Sequence, residues 1–354
     1  MSEIHIFNHN AMATQFQVRI AGEEKTYAAQ TAQAAFALVD ELESRLSRFR
    51  ANSEISQIAQ LAPGEKLRLT EPVFTCLEIA RRMELVTRGA FSATAAALKT
   101  QAAMPLWSLA PKDFSIRCDR GKLELDLGAI GKGFALDRMA EVLREWDCPA
   151  FLLVAGGSSI LAGDAPAGTA GWSCGLGDDN SPQRYWLKNC SLSGSGLTVK
   201  GQHILDPRTG RTGHRRFRAW ALADTAAESD ALSTAAMVLS EMEITGVVAD
   251  NPGWLFFLPG EKEPRLFGAR ALPSHMPSAP RQDEVCSEIR CASLGHPLAC
   301  AGESAGRGCG NPAVRHSLCF QEPCPFDLFA HFVYDVLKSI TMGVARLIFR
   351  RRRG

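Results

Sequence analysis

Long apolar runs are missing from this 354-residue chain, and no stretch approaches the ~20 apolar residues that a membrane-spanning helix requires. A surplus of either charge is missing too. The formal net charge of +1 argues against a general nucleic-acid binder, which would carry a clear basic excess, so no nucleic-acid partner is expected. Met1 to Asn10 is polar and lacks the apolar core of a secretory signal peptide, which makes the cytoplasm the expected compartment. Also absent is any repeat period. What remains is 46% apolar and 22% charged residues, the balance of a globular protein, at a length for one large domain or two ordinary ones.

The cysteines divide the chain. Cys76, Cys118, Cys148, Cys174 and Cys190 are scattered, as small buried hydrophobes in a reducing compartment would be. Cys286, Cys291, Cys300, Cys309, Cys319 and Cys324 instead crowd together, after a Pro- and Ser-rich stretch that begins near Leu272 and reads as a linker. Their four-residue gaps differ from the two-residue spacing usual at zinc sites, so a loosely folded tail is expected. A helical apolar pattern from Pro325 to Phe349 ends in Arg350 to Arg353. A basic helix of this kind could lie on an anionic membrane, dock on a partner, or simply fray.

Before Leu272, periodicity predicts a strand at Gln15–Ile20 and a helix at Tyr27–Leu46. A second helix runs from Thr70 to Gly89, with Pro72 in its first turn and Val73, Leu77, Ala80 and Leu85 as its core stripe. Lys122–Leu127 alternates like a strand, then glycines turn the chain into a helix over 134–146. A short strand at 151–154, a meander over 161–190, a helix at 226–239 and a strand at 254–258 follow. Helices and short strands without regular βαβ alternation indicate an α+β fold with mixed sheets.

Three segments carry chemistry. Gly128, Gly131 and Gly133 have GxxGxG spacing, so neither the GxGxxG dinucleotide fingerprint nor a Walker A loop fits. A strand, glycines and a helix N-terminus still present backbone N–H groups and a positive dipole end to a phosphate, and Lys132 adds a charge. His203-Ile204-Leu205-Asp206-Pro207-Arg208-Thr209-Gly210 gathers a base, a carboxylate and a guanidinium on a Pro-Gly turn. Alone, it reads equally as a polar turn between strands. Asp230 and Thr234 lie four apart on one helix face and offer oxygen ligands of the type Mg²⁺ accepts, although such a pair is usually only a solvated face.

In this order, Glu124 to Arg138, Gly201 to Gly210 and Glu228 to Ala235 resemble the ApbE family of FAD:protein FMN transferases, whose patterns run DLGGIAKGYAVD, HIIDPRTG and ADALATA. Met12-Ala13-Thr14-Gln15-Phe16 is similar to its MGT-type strand, and Leu46 to Ser56 to its LSxYRxDSEIS segment. The resemblance covers about residues 5 to 270. It implies a T-fold-like mixed-sheet domain over 1–272, with 273–354 as linker, Cys-rich segment and basic helix.

The resemblance further implies FAD as substrate and Mg²⁺ as cofactor, the ion held by Asp230, Thr234 and the carbonyl of Gly131. FAD would contact Met12, Gly128, Lys132, Gly133, Asp137 and His203. His203 would be the base, with Asp206 and Arg208 beside it, although Arg208 could equally brace its turn through a carboxylate. The partner would be a separate flavoprotein offering a Ser or Thr hydroxyl. Two departures stand out: Val154-Ala155-Gly156-Gly157-Ser158 replaces the usual NLGGD, and Ser92 and Ala93 replace the acid and proline of GAFDPT. These leave an FAD pyrophosphatase, or a flavin-binding protein without catalysis, as alternatives.

Overall fold

The computed structural model describes residues 3–94, 106–176, 183–197, 205–212, 214–260, 264–271 and 289–290. His203 and all of the terminal tail except Ile289 and Arg290 lie outside the described residues, as do the six crowded cysteines.

A hairpin of β1 (Ile4–Ala11) and β2 (Thr14–Ala21) opens the fold, followed by α1 (Lys25–Leu46) and α2 (Glu54–Ile58). Next come β3 (Lys66–Arg68), α3 (Glu71–Val86), β4 (Trp107–Ala110), β5 (Ser115–Cys118) and α4 (Gly131–Glu145). Six strands succeed them: β6 (Phe151–Ala155), β7 (Ser159–Ala162), β8 (Trp172–Leu176), β9 (Gln183–Leu187), β10 (Cys190–Gly196) and β11 (Leu205–Asp206). The chain continues through β12 (Arg211–Thr212), β13 (Arg218–Ala223), α5 (Ala226–Ala236), α6 (Glu241–Asp250), β14 (Leu255–Leu258), β15 (Arg265–Phe267) and β16 (Ile289–Arg290).

Eight strands form the central sheet in the order β1-β2-β6-β7-β10-β13-β14-β15. Every neighbour in it is antiparallel. Parallel pairing occurs, among the described residues, only between β16 and β8.

Both faces of the sheet are covered. Phe16, Val18, Phe151, Leu153, Ala221 and Phe256 pack with the helices, whereas Leu152, Val154, Ile160, Trp220 and Phe257 pack with Trp172, Tyr185 and Leu187 of β8 and β9. A strand buried on both sides needs no polar face, so β6 reads as an unbroken apolar run, Phe-Leu-Leu-Val-Ala.

Three expectations depart from the structure for physical reasons. Lys122–Leu127 forms no strand. Leu123, Leu125 and Leu127 are nonetheless buried, because the alternation records which side of an extended segment faces the core and not whether a ladder pairs it. Leu85 was expected in the core of α3 but is 65% exposed; Met83, one turn away from Ala80, takes the inward place instead. The helix expected at 134–146 begins earlier, at Gly131, since glycines tolerate the first turn that the sequence pattern left out.

Packing between α4 and α5 rests on Gly133. A Cβ there would sit 2.0 Å from the Ala226 carbonyl oxygen and 2.7 Å from the Ala227 nitrogen. These are backbone atoms, which cannot swing aside. Gly133→Ala is therefore expected to destabilise the fold by about 3 kcal/mol, the upper part of the usual range for overpacking. Urea unfolding checks this: the midpoint should fall with an unchanged slope.

Candidate functional site

The first turn of α4 has no side-chain cap of its own, because its N-cap is Ile130. Asp230, from α5, supplies one across the helix pair. Its Oδ2 accepts the Gly133 N–H at 2.8 Å, and Lys132 Nζ stands 3.5 Å from the same oxygen. Oδ1 accepts the Ser159 hydroxyl at 2.5 Å. Asp230 is only 4% exposed, so these partners and not water fix its carboxylate.

The favour is returned. Asp137, two turns into α4, accepts the Ala226 and Ala227 N–H groups at 2.7 and 2.8 Å and so caps α5, together with Thr225. Burial pushes the Asp137 carboxyl up to about 7 against those two hydrogen bonds, with the Asp230 and Glu228 carboxylates adding repulsion. Glu228 itself pairs with Arg82 at 2.7 Å.

The glycine turn is braced from below. Asp126 Oδ1 accepts the Gly128 N–H at 2.9 Å, and Arg48 approaches its other oxygen at 3.4 Å. Thr234 lies one turn beyond Asp230, with its hydroxyl 3.2 Å from that of Ser195 on β10.

A row of hydroxyls continues from there. Ser191 and Ser193, alternate residues of β10 and hence on one face, each lie 2.8 Å from Ser229, and Ser195 lies 2.9 Å from Ser233. Ser229 and Ser233 are themselves one helical turn apart. The helix bearing Asp230 and Thr234 is thus joined to the sheet by side-chain hydrogen bonds where apolar contacts would be usual.

Met12 occupies the two-residue turn between β1 and β2. Both Met12 and Ala13 take positive φ, 50° and 55°, as a tight hairpin of the I′ type demands. Neither is glycine, so each costs about 1 kcal/mol. A cleft of about 410 Å³ opens there, lined by Asn10 to Thr14 and Glu43. Thr14 lies so close to Gly156 that a Cβ on that glycine would meet its hydroxyl at 2.2 Å. Gly156 and Gly157 lead through Ser158 to Ser159. The N-terminal hairpin is in this way tied to the turn that holds Asp230.

Asp206 and Arg208 belong to a different neighbourhood. Asp206 holds Arg208 Nε and Nη2, both at 2.9 Å, and Nη1 meets Glu243 at 2.6 Å. Hydrogen bonding to Asp206 keeps the guanidinium charged beyond its ordinary range. Of the two roles the sequence left open for Arg208, bracing the turn is the one its contacts serve. Burial alone would raise Glu243, but hydrogen bonds from the Ser240 backbone and hydroxyl and the Arg208 pair bring it down to about 2.

Ser92, at the position of a missing acid, hydrogen-bonds Glu84 at 2.8 Å and Thr94 at 3.0 Å, which closes the turn after α3.

The structure therefore gathers Lys132, Gly133, Asp137 and Asp230 at the α4–α5 contact, with Gly131 opening α4, Gly128 in the turn before it and Thr234 one turn beyond Asp230. Asp206 and Arg208 instead meet Glu243 and the residue Val238 that follows α5. His203 lies outside the described residues. Sequence reasoning missed Ser159 and Glu243. Ser240-x-x-Glu243 is a legible capping box, whereas nothing in the order Gly-Gly-Ser-Ser marks Ser159.

A family model described as the ApbE family matches residues 12–256. The FAD:protein FMN transferase of Klebsiella pneumoniae (strain 342) is 22% identical over 252 residues, covering 59% of this chain and 75% of that protein. Among solved structures, the flavin transferase ApbE from Vibrio cholerae has a TM-score of 0.63 at 19% identity, covering 75% of this chain and 97% of that one. Apo flavinyl transferase ApbE from Pseudomonas stutzeri has a TM-score of 0.64 at 18% identity, covering 76% and 98%. At such identities the structural likeness speaks to the fold.

The Arg208–Glu243 pair generates a test. A carboxylate lowered from 4.5 to about 2 stabilises the fold above pH 4.5, and the gain is lost as pH falls through 2. Glu243→Gln is expected to lose about 1.5–3 kcal/mol at neutral pH, the range for hydrogen bonds to charged groups. Urea unfolding at a series of pH values should show the two proteins converging between pH 4.5 and 2.

Proposed function

Since the chain belongs to the ApbE family, we propose that it is a FAD:protein FMN transferase that moves FMN from FAD to a Ser or Thr hydroxyl of a partner flavoprotein. The observation that supports this most is the α4 N-terminus: a first turn with no cap from its own N-cap residue, a glycine approach, Lys132, and a buried carboxylate from a second helix, all at one point. Backbone N–H groups and the helix dipole there suit the pyrophosphate of FAD.

Mg²⁺ fits the donor set in kind. The Asp230 carboxylate, the Thr234 hydroxyl and the Gly131 carbonyl are all hard oxygen donors, and Asp230 and Thr234 share a helix face. Among the described residues no group of three or more His, Cys, Asp or Glu could hold a metal. One carboxylate plus substrate phosphates is a common way for proteins to hold Mg²⁺, so FAD itself would complete the site. Bound there, the ion would neutralise charge developing on the pyrophosphate.

The acceptor hydroxyl attacks the phosphorus of the FMN half, the bond to the bridging oxygen breaks, and AMP leaves. His203 takes the hydroxyl proton, Lys132 pairs with phosphate oxygen, and the Met12 turn borders the flavin. Most of the rate then comes from positioning and charge neutralisation. Asp137 acts by holding α5 in place, and Asp206 with Arg208 braces the turn that follows β11.

Chromatography of FAD incubations checks this. AMP should appear only with Mg²⁺ and an acceptor hydroxyl present, and AMP formed equally without acceptor would point to a pyrophosphatase. His203→Ala is expected to lower turnover by about 10²–10⁴-fold with little change in FAD affinity, because a base acts in the transition state. Lost affinity with turnover kept at saturation would assign His203 to ligand positioning.

A further inference from the structure

We propose that Ser159 is a positioning residue that aims the Asp230 carboxylate at the cation; the idea rests on the metal reading above and concerns how that ligand is held. Asp230 is gripped from two sides. Gly133 N–H and Lys132 take Oδ2 from the α4 side, and Ser159 takes Oδ1 from the sheet side. Rotation of the carboxylate about its last bond is thereby stopped by two groups on different elements.

Each of those groups is itself immobile. Gly133 is locked by its contact with Ala226. Ser159 is the first residue of β7, paired with Ala155 on one side and Ser193 on the other. It is fully buried, so water cannot replace its hydroxyl. The Oδ1 oxygen accepts one hydrogen bond and keeps a lone pair for a metal. Partners of this kind, one step behind a ligand, set its orientation and basicity, and their loss typically weakens metal affinity by about 10–100-fold.

Ser159 also accounts for an anomaly. The turn before it lacks the acid expected at position 158, yet the strand that follows delivers a hydroxyl to Asp230. Its neighbours on the same sheet face, Ser193 and Ser195, hold Ser229, Ser233 and Thr234 of the same helix. The sheet therefore registers α5 through hydroxyls along its length, and Ser159 is the one that reaches the ligand.

Mg²⁺ titrations of the full chain at saturating FAD, read by calorimetry and by thermal shift, test this without relying on turnover. Ser159→Ala and the near-isosteric, weakly donating Ser159→Cys should both need about 10–100-fold more Mg²⁺ for the half-maximal shift, while their melting temperatures without metal stay close to each other. Ser159→Thr, which keeps the hydroxyl, should restore the unmodified midpoint. Asp230→Ala should show no Mg²⁺-dependent shift. A normal midpoint in the alanine and cysteine variants, with the shift abolished in Asp230→Ala, would overturn the role of Ser159 and leave the metal reading standing. An undiminished shift in Asp230→Ala would sink both. If Ser159→Ala does not fold, the Cys and Thr pair decides the matter, since they differ in donor strength.

Discussion

Two helices that cap each other are the constraint on which the rest of this structure depends. Asp137 of α4 closes the N-terminus of α5, and Asp230 of α5 closes that of α4. Each carboxylate satisfies donors that would otherwise be orphaned, and each gains from the positive end of the other helix. The exchange is geometrically possible only because Gly133 lets α4 touch the backbone at Ala226. A residue expected from the sequence to contact FAD, Asp137, thus has a mechanical task, and one expected to be a metal ligand, Asp230, has a mechanical task as well.

The other end of α5 is held by charge of the opposite sign. The Arg215 backbone N–H donates to the Met237 carbonyl at 2.8 Å, Arg215 Nε to Val238 at 3.0 Å, and Arg216 Nη2 to Leu239 at 2.9 Å. Cations at a helix C-terminus complement its dipole and its last carbonyls. Arg215 and Arg216 thus anchor the segment that leaves this one helix. Carboxylate at one end, guanidinium at the other and hydroxyls along the side leave α5 little freedom to slide or turn.

The glycine turn, the Asp230–Thr234 spacing and the buried strands were legible from the sequence because each is a local pattern with a local cause. The partners of these residues were not. Asp137 meets Ala226 across 89 residues, Asp230 meets Ser159 across 71, and Arg208 meets Glu243 across 35. No periodicity encodes such distances. Local patterns also misled where two structures share one signature. The alternation at Lys122–Leu127 suits an unpaired extended segment as well as a strand, and the stripe on α3 drifts by one position, so Met83 replaces Leu85 inside.

The span of the mutual caps also governs when the site can exist during synthesis. Strand β6 pairs with β2 early in the chain, but its sheet continues through β10 and β13, and α5 follows only after residue 225. While the ribosome is still upstream of Ala226, the α4 N-terminus has no cap and Asp137 has no donor to accept from. Contacts of such long sequence separation form late. The nascent protein consequently passes through a stage in which α4 is present without the carboxylate that closes its first turn, and the two caps form together when α5 docks.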